Sequence, residues 1–139
     1  MDIEQTKEAV KKEEGFRLET YKCTEGHLTG GYGHKMLEGE VPPTDHAGWL
    51  KIFERDFARA MTGAEDLLML CPNIHETARH IVVEMVYQMG AYGVSRFKKF
   101  LQALQDSDYK EASVQMLDSR WAKQTPNRAN RMSERMANI

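Results

Sequence analysis

EGFRLETYKCTEGHLTGGYGH, Glu14 to His34, is the stretch on which the reading of the fold turns. Upstream of it, Ile3, Thr6 and Val10 recur on one face, which predicts a short amphipathic helix from Asp2 to about Glu13. Gly15 breaks that period. Thr20, Tyr21, Thr24, Thr29 and Tyr32 then favour strands, while Glu25-Gly26 and Gly30-Gly31 supply turns. A small antiparallel hairpin or meander is the natural consequence. Gly39, Pro42 and Pro43 close this zone.

Everything downstream has helical periodicity. Thr44 or Asp45 can cap a helix reaching about Met61, and Asn73 can cap the next. In that second helix Ala78, Ile81, Val82, Met85, Val86 and Met89 fall at i, i+3, i+4, i+7, i+8 and i+11, with Gly90 placed to end it. A further helix is predicted from Ser95 to about Gln105. Another starts at Asp108, with Glu111 as its capping-box partner. The last opens at Thr125-Pro126, a Thr cap with Pro in the first turn. The predicted class is α+β: one domain over residues 1–139, with a small β-hairpin-containing N-terminal lobe at about 14–56 and a larger all-helical C-terminal lobe. The small lobe includes an interlobe helix. The first helix joins residues from about 57 onward in the helical lobe. A cleft between such lobes is a usual ligand site.

With 139 residues the chain can bury a real core, and 41% hydrophobic against 29% charged residues argues against disorder. A net charge of −2 gives no support to a general nucleic-acid binder. From Ser119 to Ile139, however, five basic residues stand against the single acid Glu134, so that end is either a solvated basic face or lies near an anionic polymer. Cys23 and Cys71 do not make a disulfide framework and read as reduced thiols. The charged start MDIEQTKEAVKKEEG has no apolar core of a signal peptide, which leads to the expectation of a cytoplasmic protein.

Glu14, eight residues, Cys23, five residues, Thr29, then Gly33-His34 resembles the catalytic segment of phage-type lysozymes, the muramidases of glycoside hydrolase family 24, in their T-even form. Glu13-Glu14-Gly15, Arg17-Leu18, Tyr21-Lys22 and Thr24-Glu25-Gly26 fit the same segment. MVYQMGAYGVSRF (Met85 to Phe97) and SRWAKQTPNRANR (Ser119 to Arg131) resemble the family's central helix and C-terminal signature, so the likeness covers most of the chain. It departs in three ways. Cys23 stands where the family usually has Asp, the stretch from Lys35 to Asp56 is shorter, and the chain stops soon after the last signature.

The resemblance implies that Glu14 is the general acid and Arg128 its partner, and that the Thr29 hydroxyl holds the attacking water. For Cys23 three roles compete: orienting or deprotonating that water, attacking the sugar to form a covalent intermediate, or standing inert. The resemblance also implies a structural His34–Asp56 ion pair with a raised His34 pKa, and saccharide contacts at Lys35, Tyr87, Phe100 and Gln115. Met85 and Gln88 read as core residues. What the resemblance implies overall is an endolysin that cleaves β-1,4 bonds of peptidoglycan and lyses the host cell. It would act as a monomer, without cofactor, nucleic acid or stable membrane association. It would stay in the host cytoplasm until a holin-type lesion admits it to the periplasm and wall. Two rival readings compete. A lysozyme-like module that binds peptidoglycan with weakened catalysis is one. The other is a Zn²⁺ site at Cys23-His27-His34 or Cys71-His75-His80, neither of which has finger spacing.

Overall fold

The computed structural model describes residues 2–139. Helix α1 (Ile3–Glu14) is capped by Asp2, whose carboxylate accepts from the Glu4 and Gln5 amides. It ends at Gly15, at φ 69. Thr6 and Val10 enter the core, whereas Ile3 stays 45% exposed at the first turn, beyond the core's edge.

Three strands follow as an antiparallel meander in the order β1-β2-β3: β1 (Arg17–Lys22), β2 (Leu28–Gly31) and β3 (His34–Lys35). Arg17 faces Gly31, Tyr21 faces Thr29, and the register shifts between those pairs. Gly30 pairs with His34. Beneath this sheet lies Trp49, fully buried, its indole N–H donating to the Leu18 carbonyl at 2.8 Å. Gly30 and Gly31 make room for it: a Cβ at Gly30 would stand 2.6 Å from Trp49 Cη2.

Trp49 belongs to α2 (His46–Leu67), capped by Asp45, which accepts from the Gly48 amide at 2.8 Å. This helix outruns the predicted end at Met61, because its buried stripe of Phe53, Phe57, Ala60 and Ala64 continues and nothing breaks it. Helix α3 (Glu76–Ser95) starts later than predicted. Its cap is His75, whose Nδ1 accepts from the Thr77 amide at 3.1 Å, and not Asn73. At Gly90 (φ 81, ψ 158), where the sequence predicts an end, the backbone leaves helical geometry and α3 changes direction, but helical turns resume up to Ser95. Ser95 therefore closes a helix and does not open one, and α4 (Lys98–Gln105) begins three residues later.

Helix α5 (Tyr109–Leu117) has the expected Asp108 cap, accepting from the Glu111 amide at 3.1 Å. The five-residue α6 (Arg120–Gln124) was not anticipated; Ser119 caps it through the Ala122 amide. Helix α7 (Pro126–Ala137) has Pro in its first turn, but Thr125 gives its hydroxyl to the Trp121 carbonyl and not to an amide of α7. Helices α2 to α7, with Val10 of α1, enclose one apolar cluster centred on Ile81, Met85, Leu104, Met116 and Met132. The architecture is mostly helical with a three-stranded antiparallel sheet, an α+β fold.

Further polar ties join this lobe to the helices. The Tyr87 hydroxyl of α3 donates to the Tyr32 carbonyl at 2.6 Å. His34, buried, meets Asp56 of α2 through Nδ1 at 2.6 Å and Glu40 through Nε2 at 3.0 Å. The Asp56 hydrogen bond raises the His34 pKa against its own burial, with Glu40 adding to the rise. A raised folded-state value means that this tie stabilises fully below the unfolded value of about 6.5 and is lost as pH climbs through the folded value. His34→Gln should therefore lower stability most at mildly acidic pH. Chemical denaturation at several pH values should show the gap to wild type narrowing as pH rises. Gly30→Ala should cost about 1–3 kcal/mol, since the indole has nowhere to move, as a shift in denaturation midpoint will show.

Candidate active site

Glu14 is the last residue of α1, so its side chain leaves the helix where the chain turns into the sheet. Its carboxyl packs on Gly33 in the β2–β3 turn, where a Cβ would stand 3.0 Å from Glu14 Cδ. Gly33, at φ 73, can offer that bare backbone surface without strain. From the other side, Nη1 of Arg128 on α7 donates to Glu14 Oε2 at 3.3 Å. The Glu14 side chain is only 13% exposed. Burial raises its pKa, and the guanidinium opposes the rise without cancelling it. A carboxyl so placed keeps its proton to higher pH than an ordinary glutamate.

Cys23 and Thr29 reach the same cleft from the sheet. Cys23 follows β1 at the start of the turn, its amide donating to the His27 carbonyl at 2.8 Å. Its thiol pKa is lowered, first by a hydrogen bond from the Glu25 backbone, then by those from the His27 backbone and the Thr29 hydroxyl, against partial desolvation. The Thr29 hydroxyl, almost fully buried, has two acceptors within reach of its single proton, the Cys23 sulfur and the His27 carbonyl at 3.1 Å. The cleft thus joins a buried carboxyl whose pKa is raised, a thiol whose pKa is lowered and a hydroxyl able to donate and accept. It has a volume of about 1090 Å³ and runs on to α4, α5 and α6.

The remaining residues singled out by sequence are placed unequally. Lys35 is exposed on β3 and lines the cleft. Gln115 lines it from α5, with its amide donating to Glu111 at 2.8 Å. Phe100 borders it while remaining 1% exposed, its ring in the core beside Phe97. Tyr87 stands behind the wall, its hydroxyl engaged by Tyr32; burial pushes its pKa up. Met85 is core, whereas Gln88 faces the cleft and accepts from Trp121 Nε1 at 2.9 Å. His34 and Asp56 support the sheet from below. Nothing in the local sequence marks Glu40 as a partner of His34 or Trp121 as a lining residue of the cleft.

The basic C-terminal stretch is largely paired. Arg128 has Glu14, Arg131 has Glu13 at 2.7 Å, and Arg135 has the buried Glu84 at 2.9 Å. Neither a free solvated face nor a polymer-binding face describes these three. Among the described residues no group of His, Cys, Asp and Glu converges as metal ligands.

Residues 11–138 match the family described as phage lysozyme. The chain belongs to the phage lysozyme family. It is 32% identical to "Probable T4-type lysozyme 2" of Dictyostelium discoideum, over 94% of this chain and 92% of that protein. It is 29% identical to the "Pre-baseplate central spike protein Gp5" of Enterobacteria phage T4, over 91% of this chain but 26% of that longer protein. A third relative, the "Peptidoglycan hydrolase gp36" of Pseudomonas phage phiKMV, is 28% identical over 89% of this chain and 14% of its own length. As a phage lysozyme, the protein is a glycoside-cleaving enzyme with a Cys in its cleft.

With a bare backbone under Glu14, Gly33→Ala should displace the carboxyl and lower its pKa as solvent enters. Carboxyl NMR of the labelled protein should show the fall; an unchanged titration would contradict this packing.

Proposed function

We propose that the protein hydrolyses the β-1,4 bond between N-acetylmuramic acid and N-acetylglucosamine in peptidoglycan, with Glu14 as general acid and Cys23 with Thr29 delivering the water. The observation that carries the reading is the raised Glu14 pKa beside a thiol whose pKa is lowered, in one cleft. Glycoside cleavage needs this division: one group that still holds a proton and one that can take one from water. Glu14 protonates the leaving oxygen. The Cys23 thiolate accepts a proton from a water held by the Thr29 hydroxyl, and the water attacks the anomeric carbon from the opposite face. Arg128 positions the Glu14 carboxyl and takes up its charge once the proton has left. Lys35 and Gln115 contact the saccharide from the cleft surface, and Phe100 and Tyr87 support those contacts from behind.

The setting we propose is host lysis. The enzyme works as a monomer that gathers in the cytoplasm and reaches the wall through a holin-type membrane lesion, with no nucleic-acid or membrane partner and no cofactor. Among the described residues no helix is long and apolar enough to cross a membrane.

Glu14→Gln should reduce the clearing of permeabilised Gram-negative cells by about 10²–10⁴-fold. Sacculi bound but never cleared by the wild type would favour a binding module. NMR of the first-formed product should show an inverted anomer; retention would assign Cys23 to nucleophilic attack. The acid must be protonated and the thiol ionised, so activity falls above the Glu14 pKa and below that of Cys23. An aspartate, with pKa about 3.9, is ionised while Glu14 keeps its proton. Cys23→Asp should therefore keep or raise activity near neutrality and move the acidic limb of the pH profile downward.

A further inference from the structure

The helical wall of the cleft carries charge that the hydrolytic proposal does not use. With the Glu14–Arg128 pair set aside, five cations line the cleft, Lys35, Arg96, Lys98, Lys99 and Arg120, against two acids, Glu25 and Asp118. The chain as a whole has a net charge of −2, so this is a local concentration and not a reflection of composition. Four of the five belong to the helical lobe: Arg96 follows the end of α3, Lys98 and Lys99 open α4, and Arg120 opens α6. All four are exposed, and among the described residues none takes part in an ion pair. On nearby α7, by contrast, Arg128, Arg131 and Arg135 all face carboxylates. Between the four, Phe97 and Trp121 supply an aromatic floor, half-buried and buried respectively.

The repeating sugars of peptidoglycan are uncharged, so hydrogen bonds suffice to hold them. The charges of that substrate sit on the short peptides attached to its lactyl groups, as free carboxylates. Resting on the reading above, we propose that Arg96, Lys98, Lys99 and Arg120 form a subsite for the carboxylates of the stem peptide. The cleft thereby prefers peptidoglycan whose stems are not amidated. A cationic rim over an aromatic floor fits a short peptide with alkyl side chains and anionic groups. Arg adds planar two-pronged contacts that a carboxylate can fill. Each exposed pair gives a factor of roughly two to five, so several acting together give about tenfold.

The test uses soluble, uncross-linked glycan strands of one length, with stems either free or amidated. Binding is measured with Glu14→Gln protein by calorimetry, and cleavage by wild type is followed in parallel. Free-acid stems should bind about tenfold more tightly than amidated ones. That preference should vanish in an Arg96→Gln, Lys98→Gln, Lys99→Gln, Arg120→Gln variant with unchanged circular dichroism, and should shrink at about 1 M salt, where the screening length falls to about 3 Å. Equal affinity for the two strands, or a preference that survives in the fourfold variant, overturns the proposal. So does equally tight, wall-dependent binding of a phosphate polymer without peptide, which would make the wall a general anion trap. The hydrolytic reading fails separately, if wild type leaves both strands uncut while the binding preference persists.

Discussion

The sheet lies against α2 only because residues 30 and 31 have no side chains. The Trp49 indole fills the space that Cβ atoms there would occupy and fixes its orientation by donating to Leu18. Every sheet-borne group of the site depends on this contact. Cys23 leaves the end of β1, Thr29 sits in β2 beside Gly30, Gly33 forms the next turn and Lys35 ends β3. Close packing transmits small shifts, so the placement of the thiol and hydroxyl relative to the helical wall depends on how Trp49 seats under Gly30 and Gly31. His34 makes the same sheet fast from its other end, held between Asp56 and Glu40.

The Glu14 carboxyl is set by two opposed forces. Burial favours the neutral carboxyl, and Arg128 favours the anion. Burial wins, and the guanidinium limits how far the pKa rises. In the hydrolytic reading we propose, the same guanidinium would face the charge left on Glu14 after proton donation. Cys23 is tuned in the reverse direction by backbone amides in its turn, which needs no cationic side chain nearby. The opposed shifts bring a carboxyl and a thiol closer in acidity than they are in water, within one cleft.

Much of this was legible in the residues. The helix–meander–helices order follows from the change of period at Gly15, and the Glu14, Cys23, Thr29 and Arg128 set follows from spacing that resembles the family. What escaped depended on tertiary context. Asn73 has a good capping side chain, but the chain turns helical only after His75, whose ring nitrogen takes the cap. The helix α6 is five residues long and too short to show a period. Tyr87 has the chemistry of a sugar contact, yet its hydroxyl is satisfied by Tyr32. Glu40 gave no signal, because nothing local marks it as the second partner of His34. The arginines of α7 look like a solvated basic run until their carboxylates arrive from α1 and α3.

Glu14 and Arg128 are 114 residues apart, and Arg131 reaches back to Glu13 in the same way. The first helix and the last are therefore clasped across almost the whole length of the chain. Contacts of such separation form late, since the intervening loop must close first. On a ribosome Arg128 emerges 114 residues after Glu14, so until then the growing polypeptide has no finished cleft. The clasp therefore waits for α7, and a product lacking that helix would leave the Glu14 carboxyl without its guanidinium.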